Sequence, residues 1–302
     1  MSDTLSSLKQ SDFMISCSSD NKIKVTHMKT GDCTETLQGH IHGVTSIHFI
    51  SKHILASTSG DMTIKLWDTR NGRCLNTLTG HHNSVLCMVC VSDETIFSGS
   101  ADCTIRQWKL TEDSGKCVQT LYGHLSFVNA LQMTSNDLLL SASHDCTIRV
   151  WNYQKNECTQ ILKGHKHFVN CILFYLNDQL ISASHDATIK VWRISTGECL
   201  KTLLGHSDVV SCMELIRDNG ILISGSNDKT IRLWNIATEE CVFCLEGHQK
   251  FVSSLKYIGN NLLLSGSCDL TIRLWDLRIK KCQKIYDSIH AGRINSVQFF
   301  SL

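Results

Sequence analysis

Short apolar runs alternate with polar turn residues along the chain, and no stretch keeps the three-to-four-residue spacing of an amphipathic helix. The stretch around Asp269 shows the unit. L-L-L-S-G-S (262–267) predicts an apolar strand, C-D a tight turn, and L-T-I-R-L-W (270–275) an alternating strand. An aspartate that can bind its own turn backbone, flanked by β-branched residues, suits a hairpin. The same run occurs as S-T-S-G-D-M-T-I-K-L-W-D (57–68), S-G-S-A-D-C-T-I-R-Q-W-K (98–109) and S-A-S-H-D-C-T-I-R-V-W-N (141–152). It returns as S-A-S-H-D-A-T-I-K-V-W-R (182–193), S-G-S-N-D-K-T-I-R-L-W-N (224–235) and S-G-S-C-D-L-T-I-R-L-W-D (265–276), with a degenerate first copy, S-C-S-S-D-N-K-I-K-V-T-H, at 16–27. The turn aspartates Asp20, Asp61, Asp102, Asp145, Asp186, Asp228 and Asp269 lie 41, 41, 43, 41, 42 and 41 residues apart. A Gly-His pair opens six units, at 39–40, 80–81, 123–124, 164–165, 205–206 and 247–248.

A Gly-His start and a Trp-Asp-type end at this period resemble the WD-repeat family of β-propellers, over essentially the whole chain. Asp follows Trp only at Asp68 and Asp276; Lys109, Asn152, Arg193 and Asn235 replace it elsewhere. The resemblance implies an all-β fold, a seven-bladed β-propeller of four-stranded antiparallel blades closed by a terminal strand. It implies one domain over 1–302, with blade 1 from about 13–39 plus 289–302 and blades 2–7 from about 40–288. Closure has two claimants. I-H-A-G-R-I-N-S-V-Q-F-F (289–300) matches the start of a unit, G-H-I-H-G-V-T-S-I-H-F-I (39–50), while L-S-S-L-K-Q (5–10) resembles V-S-S-L-K-Y (252–257). The first is favoured, because His290 would give Ser16 and Asp20 the histidine they otherwise lack.

Charge narrows the function. Lys+Arg number 29 against Asp+Glu 28, without the clustered excess that nucleic acid or an anionic membrane surface requires. No apolar run approaches the ~20 residues of a membrane span, and the first residues lack the pattern of a signal peptide. Proline is absent, which excludes Pro-rich docking segments. The expectation is a soluble protein of the cytoplasm, with the nucleus also open.

Each unit brings Ser, His and Asp together, which invites a hydrolase reading. The sets are His40, Ser57, Asp61 and Trp67; His81, Ser98, Asp102 and Trp108; and His124, Ser141, Asp145 and Trp151. The others are His165, Ser182, Asp186 and Trp192; His206, Ser224, Asp228 and Trp234; and His248, Ser265, Asp269 and Trp275. In the resembled family these groups form a buried network running from Trp to Ser to His to Asp. Buried indole and imidazole groups need such partners in any case. A catalytic triad needs one exposed serine beside an oxyanion hole, and six equivalent interior copies are the opposite arrangement. No catalytic residue and no cofactor are expected.

Sixteen cysteines raise the question of metal. Seven of them, Cys33, Cys74, Cys117, Cys158, Cys199, Cys241 and Cys282, share one repeat position opening the fourth strand, and Cys87, Cys171 and Cys212 share another. Periodic placement predicts small, buried, packed residues. The spacings Cys87/Cys90 and Cys241/Cys244 fall inside predicted strands, where i and i+3 face opposite ways, so no metal site is expected. The basic row Lys24, Lys65, Arg106, Arg149, Lys190, Arg232 and Arg273 reads as stems packed along the blades.

Function is therefore expected on the rim and channel mouth. By resemblance, partners meet Thr45, Leu86, Asn129, Asn170, Ser211, Ser253 and Asn295, together with the residue before each turn aspartate, among them His144, His185 and Asn227. Phe127, Phe168, Phe251 and Arg293 stand two residues before four members of the first ring. Blades 4 and 5 repeat Phe127, Asn129 and His144 as Phe168, Asn170 and His185, an aromatic and amide set suited to a protein or peptide rather than a small molecule. The bland reading is that these phenylalanines pack inward. Short turns and T-G-E-C-L-K-T-L-L-G-H (196–206) look most like the propellers of F-box/WD-repeat ubiquitin-ligase receptors. Too few residues precede the first unit for an F-box, and where a phosphodegron reader presents arginines this mouth holds Asn, Ser, His and Leu, with only Arg293 and Lys229 near. The expected function is a protein-docking scaffold within a multiprotein complex; the alternative is substrate recognition for a ligase through a separate adaptor.

Overall fold

The computed structural model describes residues 8–111, 114–176, 178–217 and 219–301. They form 28 strands in seven four-stranded antiparallel sheets, with no helix among the described residues. Blade 2 shows the pattern, with Val44–Phe49, Ile54–Ser59, Ile64–Asp68 and Arg73–Leu78 running from the channel outwards. The first strands of all seven blades line a central channel of about 270 Å³.

The core consists of seven apolar layers, one in each seam between blades. Leu140, Ala142, Ile148 and Val150 of blade 4, for example, pack against Val169, Ile172, Leu180 and Trp192 of blade 5. Alternation sets this up. Ile148, Val150 and their counterparts point into the seam, while the intervening basic residues lie half-buried on the opposite face of the strand.

Ring closure falls to the C-terminal claimant. Ile294–Ser301 is the innermost strand of blade 1 and pairs antiparallel with Asp12–Ser18, Phe13 opposite Phe300 and Ser16 opposite Val297. Blade 1 is completed by Ile23–His27 and Cys33–Leu37. Of the rival segment, residues 5–7 lie outside the described residues, and Leu8 is buried in the layer that joins blades 7 and 1. Neither the first edge nor the last is left unpaired.

The seven fourth-strand cysteines correct the expectation of burial. Cys33, Cys74 and Cys199 are exposed, and Cys117, Cys158, Cys241 and Cys282 are half-exposed. In every blade the register between third and fourth strands slips at this point, which places Cys74 opposite Trp67, Cys158 opposite Trp151, and Cys33 opposite Thr26. Each thiol donates to the carbonyl two residues on, as from Cys33 to Glu35 at 3.3 Å and from Cys282 to Lys284 at 3.4 Å. The repeat selects a weak donor small enough to cap a bulge on the outermost strand. Cys87 and Cys212, by contrast, are buried beside the channel.

Candidate functional site

The site is framed by the hydrogen-bonded tetrads. In blade 5 the Trp192 indole N–H donates to Ser182 Oγ at 2.7 Å, the Ser182 hydroxyl reaches His165 Nε2 at 2.7 Å, and His165 Nδ1 meets Asp186 Oδ2 at 2.9 Å. Blades 2, 3, 4, 6 and 7 repeat these contacts at 2.7–2.8 Å through His40, His81, His124, His206 and His248. With the indole donating to Ser, the hydroxyl is free to donate to Nε2 and Nδ1–H to the carboxylate. A threonine two places beyond each of these six aspartates adds an O–H bond of 2.6 Å, as from Thr188 to Asp186. Burial pushes the Asp186 carboxyl up, but His165, Thr188 and the Lys166 N–H outweigh it and hold it far below the usual carboxylate range.

Ser57, Ser98, Ser141, Ser182, Ser224 and Ser265 are all fully buried, with the hydroxyl enclosed between indole and imidazole. The second serine of each S-x-S run ties the loop instead, Ser184 Oγ donating to the His167 carbonyl and accepting from Asp186 N. A glycine precedes the histidine because the indole lies against it. Gly164 has φ +153°, and a Cβ there would stand 3.1 Å from Trp192 Cη2.

Blade 1 carries a reduced set. His290 bridges Ser16 at 2.9 Å and Asp20 at 2.9 Å across the closure. Thr26 stands at the tryptophan position with its hydroxyl buried and unpartnered. Ile289, buried in the seam, takes the place of glycine. Loss of the indole and loss of the glycine go together.

The family model described as "WD domain, G-beta repeat" matches 31–68, 72–109, 115–152, 156–193, 197–235 and 239–276. The chain belongs to the WD-repeat family. The matched segments cover most of its length, and blade 1, with its substituted tetrad, accounts for the propeller's seventh unit. No curated protein matches the chain.

At the mouth of this WD-repeat propeller, a cavity of about 480 Å³ is lined by Thr45, Leu86, Asn129, Asn170, Ser211, Ser253 and Asn295. Six further residues complete it: His144, His185, Val209, Asn227, Phe251 and Arg293. Phe127 and Phe168 stand outside the cavity wall, on the surface beside it. The two sequence positions expected to meet are joined in every blade by a backbone bond, such as His144 N to Phe127 O and His185 N to Phe168 O, both 2.9 Å.

Most of the polar ring is occupied in holding blades together, a role the sequence reading missed. Thr45 Oγ1 donates to the Val85 carbonyl of the next blade at 2.6 Å, Asn170 Nδ2 to Val210 at 2.9 Å, and Asn295 Nδ2 to Val44 at 2.6 Å. Ser211 and Ser253 reach Val252 and Ile294 likewise. Where the ring residue is Leu86, the neighbouring Cys87 thiol reaches the Val128 carbonyl at 3.5 Å. Asn129 is the exception. It faces the blade 4–5 seam, and its amide has no hydrogen-bond partner among the described residues.

That seam also gathers the aromatic groups. His144 stacks on Phe168 with ring centroids 4.1 Å apart and planes 11° from parallel, and Phe127 tilts against His144 at 5.2 Å. His185 stands 5.2 Å from Phe168 and stacks with His167 at 5.3 Å. Phe127 is 41% exposed, whereas Phe168 and Phe251 are partly covered, so inward packing describes neither pair of neighbours fully. Burial, then the neighbouring His185 and His167, push the His144 imidazole below its ordinary value. Burial and His167 do the same to His185, against an opposing pull from Asp208. Across the mouth, Arg293 Nε donates to Ser19 Oγ at 3.0 Å.

Proposed function

We propose that this WD-repeat propeller is a non-catalytic platform that docks a partner protein or peptide on the mouth of its channel, through blades 4 and 5. WD-repeat propellers generally bind other proteins or peptides. The observation that carries the reading is the coincidence, at one seam, of the Phe127–His144–Phe168–His185 stack with the unbonded amide of Asn129. Aromatic surface with few internal degrees of freedom supplies binding energy, and a free amide can pair with an extended backbone. The enclosed tetrad serines support the non-catalytic part of the reading.

The test is the double variant Phe127→Ala/Phe168→Ala, compared with wild type for far-UV circular dichroism, melting temperature and quantified co-purifying proteins from nuclease-treated native lysate. Loss of capture with an intact fold is expected. Unchanged capture overturns the proposal, as does wild-type capture that is present in untreated lysate and lost on nuclease treatment. Asn129→Leu is a second variant that leaves the aromatic stack in place. The ligase alternative predicts ligase subunits among the captured proteins; no contact in this molecule favours it over a scaffold.

A further inference from the structure

A repeat protein carries its own control: positions that serve the fold recur in every unit, and a departure confined to one blade calls for another cause. In the fourth strand, the residue three places before the Gly-His glycine is Thr36, Thr77, Thr120 and Thr202 in blades 1, 2, 3 and 5. Two of these pair with the basic row, Lys65 Nζ to Thr77 Oγ1 at 2.9 Å and Lys190 Nζ to Thr202 Oγ1 at 3.0 Å. Blade 6 has Cys244 there and blade 7 has Ile285; blade 4 alone combines an isoleucine, Ile161 directly opposite Arg149, with a lysine two places on. Lys163, opposite Thr147, completes the edge. The loop that enters blade 4 presents Leu125, which is 85% exposed.

These residues, with Asp145, Cys146 and His165, line a groove of about 390 Å³ on blade 4. Its two cations have no carboxylate partner among the described residues. Arg149 reaches only the Cys158 sulfur, at 3.8 Å, and the Trp151 ring, at 5.9 Å; Lys163 has no polar contact among the described residues. Asp145 is already held by His124, Thr147 and the Leu125 N–H.

We infer that this groove is a second docking site on the propeller, which takes an aliphatic side chain of a partner polypeptide against Leu125 and Ile161 while Arg149 and Lys163 hold an adjacent acidic residue. Apolar surface flanked by unpaired cations matches that pairing, and a basic partner would meet like charge. The groove shares no lining residue with the channel mouth, and the inference does not require the mouth to bind anything.

The test uses arrays of synthetic nonapeptides with one central Leu or Ile, flanked at varied positions by Asp/Glu, by the isosteric Asn/Gln, or by Lys. The full chain is expected to be retained about tenfold better by the acidic array than by the Asn/Gln array, the difference between a charge-assisted and a neutral hydrogen bond. Ile161→Thr/Lys163→Gln, which installs the threonine of four other blades, is expected to erase that preference. Phe127→Ala/Phe168→Ala is expected to keep it. Equal retention by the three arrays, or an acidic preference that survives in Ile161→Thr/Lys163→Gln, overturns the inference whatever becomes of the channel mouth. Circular dichroism and melting temperature confirm that each variant is folded.

Discussion

Ser182 and Ser16 occupy the same repeat position, and both are fully buried. They differ in what they hold. Ser182 Oγ bonds both the Trp192 indole and His165, whereas Ser16 Oγ bonds only His290, because Thr26 replaces the indole. Replacing either serine by alanine removes the hydroxyl with little change of volume, so the cost is dominated by buried groups left without partners. Each such group costs roughly 1–3 kcal/mol. Ser182→Ala strands an indole N–H and an imidazole nitrogen, a loss of roughly 2–6 kcal/mol; Ser16→Ala strands one nitrogen, a loss of roughly 1–3 kcal/mol. Urea unfolding followed by tryptophan fluorescence measures both, with the midpoint shift read at unchanged slope. A Ser16→Ala loss equal to or larger than that of Ser182→Ala would refute the claim that hydrogen-bond count sets the tetrad's worth.

Three other outcomes follow from the structure. On acidification, His48, held down to about 4 by burial and Lys256, joins His124, His144 and His185, whose pKa values are also lowered; all four take up protons more readily unfolded, so stability falls gently below about pH 6.5. The turn aspartates, Asp20 at about 2 and Asp186 lower still, add stability that is full above about pH 4 and is lost as pH falls through their folded values; a melting temperature that rises between pH 7 and 5 would contradict this. The residue after each turn aspartate is left-handed without being glycine, Met62 at φ 67° among them, so Met62→Gly should raise stability by roughly 0.5–1 kcal/mol and Met62→Val lower it, as thermal melts of the two variants would show. A maleimide should label Cys33, Cys74, Cys199 and Cys244 in the native protein and spare Cys17, Cys87 and Cys212 until denaturant is added, with peptide mass spectrometry giving the order.

The blades were legible because their marks are local and periodic: an aspartate that closes a turn, an indole that needs an acceptor, a histidine at fixed distance from both. Even the closure could be read, since Ser16 and Asp20 lacked a histidine and His290 lacked a serine. What escaped were contacts made between units. The ring from Thr45 to Asn295 varies among Thr, Leu, Asn and Ser, and only the seams show that most of its polar members share one task, donation to a neighbour's carbonyl. The cysteine position misled for a related reason. Periodicity shows that a residue serves the fold but not how, and here a bulge, invisible in one strand's sequence, keeps the thiol at the surface. The threonine after each turn aspartate was visible as D-x-T in six units, yet its role emerges only beside the carboxylate it steadies.

The bond from Ser16 to His290 joins residues 274 positions apart. At 5–20 residues per second, a ribosome needs roughly 14–55 s to connect them. Throughout that interval Asp12–Ser18 has an unoccupied flank and the joint between blades 7 and 1 has no inner wall. Until the closing strand is made, the nascent chain is an open crescent exposed to edge-to-edge association.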